Sequence, residues 1–238
     1  MSERESDGVA DPEAIARLRR LVASEFEKGG VRTVLDAGCG FSLPFEFPPG
    51  LRFTGLDASA EALAKNTYID SAIVGDVESY PLPAEEWDAV LCWTVLEHLA
   101  RPRAAMANMA RSLRPGGLLI VGVPNVWSLK GLVTKLTPHR FHVWVYRHLL
   151  RYPGAGTPGF GPYRTYLRLD ASPSGLERLA ASLGLERIHA ETYALGSGLP
   201  RGLDRVWSLA LVLGRLVTLG RWDPGASDHV AVFRKIAS

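Results

Sequence analysis

Apolar positions fall into short continuous runs, separated by stretches in which they recur every three or four residues. Ile15, Leu18, Leu21, Val22 and Phe26 have helical spacing. Asp11-Pro12 supplies an N-cap with Pro at the first helical position, and Gly29-Gly30 stops the helix. The continuous runs predict strands at Thr33–Asp36, Arg52–Leu56, Ala72–Val74, Trp87–Trp93, Leu118–Val123, Leu185–Thr192 and Asp228–Lys235. Between them, helical spacing predicts helices at Ser59–Asn66, Arg103–Leu113, Ser172–Leu183 and Leu203–Leu219. Apolar strands alternating with helices imply an α/β fold, a parallel sheet covered on both faces. Residues 124–169 break the rhythm with Pro, Gly, Trp, Tyr, His and Arg, as expected of a lid or binding segment.

Three adjacent strand ends carry chemistry. Val34-Leu35-Asp36-Ala37-Gly38-Cys39-Gly40 ends the first strand, and its glycines let a ligand approach the backbone. Asp57 ends the second strand, where a carboxylate can accept both hydroxyls of a ribose. Asp76 ends the third, where it can face an adenine amino group. Glycine-rich backbone, acid and acid suit a nucleoside that carries no phosphate. A dinucleotide would need a third glycine and a helix N-terminus for its pyrophosphate. Leu43 stands at the glycine position, between Ser42 and Pro44, and Pro44, Pro48, Pro49 and Gly50 oppose a helix in the segment that follows. The plainer readings are turn glycines at Gly38 and Gly40 and helix N-caps at Asp57 and Asp76.

The order Val34-Leu35-Asp36-Ala37-Gly38-Cys39-Gly40, Gly55-Leu56-Asp57-Ala58-Ser59, Val74-Gly75-Asp76, Trp87-Asp88-Ala89-Val90, Leu96-Glu97-His98-Leu99 and Leu113-Arg114-Pro115-Gly116-Gly117-Leu118 resembles the class I S-adenosylmethionine-dependent methyltransferases. It is most similar to their type 11 branch, which methylates small molecules. The resemblance spans residues 31–124. It implies a Rossmann-like α/β fold, a seven-stranded, mostly parallel sheet with helices on both faces, an antiparallel last strand and lid insertions. S-adenosyl-L-methionine is the implied cofactor and S-adenosyl-L-homocysteine its product. By position, Gly38 and Gly40 would line the methionine part, with Asp36 supporting their loop. Asp57 and Ala58 would lie at the ribose, Asp76 and Val77 at the adenine, and Trp93 and Thr94 along the cofactor near its sulfonium. The family often has a third glycine where this chain has Ser42.

Displacement at a sulfonium leaves a neutral thioether, so no general acid is required. A hydroxyl acceptor gains from a general base. His98 is the first candidate for that base, against a structural histidine bonded to a backbone carbonyl. Glu97 could orient it, or favour the start of the following helix. Two such groups are too few for a metal site, and none is expected. His139 and His142, spaced i and i+3, are weaker catalytic candidates; with Tyr146 and Tyr163 they are the candidate acceptor-binding residues, against an amphipathic helix packed inward. Cys39 and Cys92 read as small buried residues beside the site.

Composition adds one asymmetry. The formal net charge is +2, but residues 1–97 sum to −10 and residues 98–169, which hold no acid, sum to +11. The basic stretch suits an anionic acceptor, a lipid-linked one or a membrane surface. Nucleic acid is disfavoured, because only Lys130 and Lys135 are lysines there. The bland alternative is a solvated face of Arg101, Arg103, Arg111 and Arg114. The helix at 203–219 is apolar almost all round, so burial or a homodimer interface is its default reading, with interfacial membrane contact the alternative. No run reaches the length of a membrane span, and no leader is seen, so a cytoplasmic protein, at most peripheral to a membrane, is expected. The expected organisation is one methyltransferase domain: a flexible tail at 1–11, a cofactor-binding core at 12–124, a lid at 125–169 and the rest of the sheet at 170–238. The expected activity is methylation, at oxygen before carbon or nitrogen, of a small or carrier-linked acceptor. A non-catalytic cofactor- or partner-binding protein and, less favoured, an RNA methyltransferase are the alternatives.

Overall fold

The computed structural model describes residues 13–157, 161–166, 168–195 and 201–236. The tail expected at 1–11 and the Asp11-Pro12 helix start lie outside the described residues.

Among the described residues, seven strands form one sheet: β1 (Thr33–Ala37), β2 (Arg52–Asp57), β3 (Ser71–Val74), β4 (Trp87–Trp93), β5 (Leu113–Pro124), β6 (Leu185–Tyr193) and β7 (Asp228–Lys235). Their order is β3-β2-β1-β4-β5-β7-β6. The first five pair in parallel, and β7 is inserted antiparallel between β5 and β6. The order reverses beside β1, and the carboxyl ends of β1 and β4 meet there, the place where open α/β sheets bind ligands.

Two apolar layers flank the sheet. Val34, Phe53, Ala89, Leu91, Ile120 and Val232 pack against α1 (Glu13–Gly29) through Ile15, Leu18, Val22 and Phe26. Leu35, Leu56, Val90, Leu119 and Phe233 face the other way, onto α3 (Pro102–Ser112) and α6 (Pro173–Ser182) through Met106, Met109, Leu176 and Leu179. Adjacent strand residues alternate between the layers, as the pleat requires. The short α2 (Ala60–Lys65) follows β2 and is capped by the Ser59 hydroxyl, which accepts from the Ala62 N–H at 3.1 Å.

No helix joins β1 to β2. Phe45 and Phe47 stack there with ring centroids 4.6 Å apart, and reach Trp93, Phe26 and Phe53. The aromatic loop covers the sheet where a crossover helix otherwise would, in keeping with the prolines and glycine of that segment.

Segment 125–169 holds α4 (Leu129–Leu136) and α5 (His139–Trp144), which runs into a wider turn at Val145–Leu149. The last helix, α7 (Arg201–Val217), is not buried within the chain, which removes one of its two default readings and leaves the homodimer interface untouched. Val206, Leu209, Leu213, Leu216 and Val217 are exposed. Its apolar arc is too wide for the one layer of chain beneath it, and only the narrow side bearing Leu211, Gly214 and Thr218 is covered, by 222–225.

Candidate active site

A cavity of about 750 Å³ opens at the carboxyl ends of β1, β2, β3 and β4. One wall is Asp36, Gly38 and Gly40; the next is Asp57 and Ala58; the third is Asp76 and Val77. Trp93, Thr94 and His98 close the far side, with Tyr163 and Arg164 from the distant segment. All the residues placed by resemblance along the cofactor, and His98 and Tyr163 beyond them, thus line one space. His139, His142 and Tyr146 are not among its lining residues.

Backbone geometry explains the glycines. Gly38 has φ +81°, and a Cβ there would stand 2.3 Å from Val95 Cγ2. Gly40 has φ +52°, and a Cβ there would meet no atom within 4 Å, so its backbone faces open space. L-residues pay for a positive φ, and glycine does not. The loop is tied down from outside. Gly38 N–H donates to Leu56 O at 2.7 Å, Gly40 N–H to Asp57 Oδ2 at 2.9 Å, and Asn66 Nδ2 to Gly40 O at 3.1 Å.

Asp57 also accepts from the Ser59 N–H, at 2.8 Å through Oδ1. It is not the N-cap of α2, a role Ser59 fills. Each carboxylate oxygen keeps further lone pairs for a diol. Asp76 closes its own turn by accepting from the Glu78 N–H at 2.8 Å.

Asp36 is buried, and that burial pushes its carboxyl up to about 7; the Tyr68 hydroxyl, 2.7 Å from Oδ2, opposes the rise, and the charge of Asp57 adds to it. Sequence reasoning misses Tyr68. Neither it nor Asn66 lies in a motif, and only the fold brings them to the loop. Cys39 and Cys92 are buried and free, and burial pushes the Cys39 thiol up to about 12.

Thr94 holds φ +53°, a strained value for a threonine, at the end of β4. Trp93 lies flat over Gly122, where a Cβ would come within 2.5 Å of the indole. His98 ends a 3-10 turn at Leu96–His98. Its Nδ1 stands 2.9 Å from Arg164 O, and the Tyr163 ring packs edge-on at 5.8 Å. A carbonyl can only accept, so Nδ1 carries the proton and Nε2 the lone pair. Burial lowers the His98 pKa below the ordinary histidine value, favouring this neutral form. The Tyr166 N–H donates to Glu97 O at 2.8 Å, so residues 164–166 are tied to 97–98 at two points.

Glu97 does not orient His98 by a hydrogen bond: Oε1 is 3.8 Å from Nε2. Its carboxyl is buried, raised to about 8 by that burial, and Oε2 has no partner among the described residues. His139 and His142 do share a helix face, with ring centroids 6.3 Å apart, and His142 Nε2 bonds Thr137 Oγ1 at 2.6 Å. Tyr146 packs on Tyr152. Among the described residues no group of three or more metal-ligating side chains occurs.

Comparison with known proteins agrees with this geometry. The methyltransferase-domain family, type 11, matches residues 35–121. The chain is 31% identical to a ubiquinone biosynthesis O-methyltransferase of Caulobacter vibrioides over 135 residues, 49% of this chain and 53% of that protein. It is 29% identical to the mitochondrial ubiquinone biosynthesis O-methyltransferase of Schizosaccharomyces pombe over 151 residues, 58% of this chain and 51% of that one. It is also 29% identical to an uncharacterized 37.1 kDa protein in transposon TN4556 of Streptomyces fradiae, over 52% of this chain and 39% of that protein. The chain thus spans about half the length of the curated relatives it matches.

Solved structures share the fold at low identity. A SAM-dependent methyltransferase from Archaeoglobus fulgidus superposes with TM-score 0.54 at 17% identity, covering 91% of this chain and 94% of that one. The [4+2]-cyclase SpnF superposes with TM-score 0.55 at 18% identity, covering 98% of this chain and 86% of that one. Strand order, strand-end residues and the family match over 35–121 together support a class I S-adenosylmethionine-dependent methyltransferase.

Proposed function

We propose that the protein transfers a methyl group from S-adenosylmethionine to an oxygen of a small or carrier-linked acceptor. The observation that carries this is one cavity that joins the Gly38–Gly40 loop, Asp57 and Asp76 to His98 on the facing wall. The residues fit the cofactor: Gly40 leaves open backbone, two strand-end carboxylates suit a nucleoside without phosphate, and a buried carboxyl, Asp36, suits a neighbouring cation. When bound, that group supplies an activated methyl on a sulfonium.

This chain's residues do the rest. Asp57 holds the ribose and Asp76 with Val77 the adenine edge. Leu43, Pro44, Val95 and Trp93 give the cavity apolar walls that limit water. His98, neutral and with its tautomer set by Arg164 O, takes the acceptor's proton at Nε2. Tyr163 and Arg164 border the acceptor, and Arg164 suits an anionic one. The relatives that act in ubiquinone biosynthesis support an oxygen acceptor, and a lipid-linked one would bring the protein to a membrane surface from the cytoplasm. We read the chain as one domain, with 125–169 as its lid.

A second reading, a protein that binds the cofactor without transferring its methyl group, has a specific basis, since a [4+2]-cyclase shares the fold and fold alone does not fix chemistry. Calorimetry with S-adenosylhomocysteine, followed by turnover on phenols, catechols and prenylated catechols, separates the two. Saturable binding that is lost in Asp57→Ala, with one S-adenosylhomocysteine released per O-methyl formed, supports methyl transfer. Binding without release across the panel favours the second reading, and failure to bind overturns both.

A further inference from the structure

α7 carries an apolar surface that the cavity does not use. On a helical projection Val206, Leu209, Val212, Leu213, Leu216 and Val217 occupy one broad arc, all exposed. Val217 and, just beyond the helix, Leu219 are 82% and 83% exposed. The opposite side is held by the 222–225 turn: Gly214 sits against Trp222 and Pro224, and Arg215 pairs with Asp223 at 2.6 Å. That turn docks on the start of α4, where Trp222 Nε1 donates to Trp127 O at 2.6 Å and Leu129 N–H to Pro224 O at 2.8 Å. That segment carries exposed apolar residues of its own, Trp127, Leu136, Phe141 and Trp144. Thr137, at the end of α4, bonds His142 of α5.

Exposed cations are interleaved with these groups: Lys130, Lys135, Arg140, Arg147 and Arg151. Residues 98–169 contain no acid. A monomeric surface seldom exposes so many contiguous large apolar side chains without a use. Apolar and aromatic residues set among Lys and Arg match a lipid headgroup layer, whose anionic lipids attract the cations while apolar side chains enter the acyl boundary. A second copy fits this face less well. A two-fold contact sets each patch against itself, bringing the cations of α4 and α5 to an interface to which residues 98–169 contribute no acid. No helix among the described residues is long and apolar enough to cross a membrane.

We propose that the exposed face of α7, with α4 and α5, docks on an anionic phospholipid surface. This extends the lipid-linked reading of the acceptor, but vesicle binding requires no turnover, so the two can fail separately. The test is co-sedimentation of the whole protein with vesicles of phosphatidylcholine alone and of phosphatidylcholine with phosphatidylglycerol, at low and high salt. Expected is binding to the anionic vesicles that falls with salt. Lys130→Gln and Lys135→Gln should each weaken it about fivefold. Leu213→Ser with Leu216→Ser should abolish it while an unchanged far-UV spectrum shows that the fold persists. Absence of binding to anionic vesicles overturns the proposal. So does a wild-type dimer in solution that the Leu213→Ser, Leu216→Ser variant converts to monomer, for the face is then an interface between copies.

Discussion

Asp36 shows how far burial changes a residue's chemistry. Its carboxyl titrates near 7 in the fold, against 3.8 for an ordinary aspartate. Because the raised value makes the folded chain hold more protons than the unfolded one between these limits, Asp36 costs the ligand-free protein stability as pH rises from about 4 to about 7. A cationic ligand beside it favours the ionised form. Below pH 7 binding must therefore release a proton, and affinity for S-adenosylmethionine should fall by up to about tenfold per pH unit. Calorimetry from pH 5.5 to 8.5 checks this. Asp36→Asn should flatten the dependence, whereas Tyr68→Phe, which removes the hydroxyl that lowers the Asp36 pKa, should shift its onset to higher pH.

His98 gives a second prediction at this scale. Loss of a general base costs about 100-fold or more in turnover, so His98→Ala should lower kcat that far and leave S-adenosylhomocysteine affinity nearly unchanged. Wild-type turnover should decline on acidification below the usual histidine range, as the buried imidazole finally protonates. Equal turnover of wild type and variant would remove His98 from the reaction. Asp36, Asp57 and His98 are legible as candidates because motif positions name them. Tyr68, Asn66 and the Arg164 carbonyl are not, since each reaches the site from another part of the chain.

At the scale of elements, the Gly38–Gly40 loop separates two uses of glycine. Gly38 needs both its positive φ and the absence of a side chain against Val95. Gly38→Ala should destabilise the protein by at least ~2 kcal/mol, read as a lower denaturant midpoint. Gly40 has the φ without the clash, so Gly40→Ala should cost about 1 kcal/mol, its larger effect falling on cofactor affinity.

The apolar run places the start of β5 at Leu118, with Arg114-Pro115-Gly116-Gly117 as a helix stop. The strand instead starts at Leu113, and the four residues form an irregularity between the pairs Trp87–Leu113 and Ala89–Leu118. Asp88 holds this region. It accepts from the Arg32 and Thr33 N–H groups and the Thr33 hydroxyl, all at 2.9 Å, and from Arg114 at 2.6 Å. Burial alone would raise its carboxyl, but these donors hold it at about 2. Its contribution is thus present above pH 4 and lost as pH falls toward 2. Asp88→Ala leaves several donors unmet and should cost about 1–3 kcal/mol at pH 7, with the loss shrinking as wild type is acidified.

Across the whole molecule, α7 stands apart from the packed layers. Its apolar arc contributes little to folding, because the residues that form it are exposed in the folded chain. Leu209→Ser should therefore move the melting temperature by no more than about 2 °C. A larger drop would mean that α7 packs more closely than the exposure of its arc implies.

Sequence by itself determined the elements of the sheet and the order of its chemistry. Apolar runs, turn residues and strand-end motifs are local, and a parallel α/β sheet must carry successive strand ends to one edge. It also set the charge boundary between residues 97 and 98. Tertiary structure alone decided what meets across that boundary. It brought Tyr163 and Arg164 to His98 while leaving His139, His142 and Tyr146 outside the cavity, filled the β1–β2 crossover with Phe45 and Phe47, and turned the broad face of α7 outward. The physical reason is common to all of these. Periodicity records that a side chain is apolar or polar, but which surface covers it depends on packing between segments far apart in the chain.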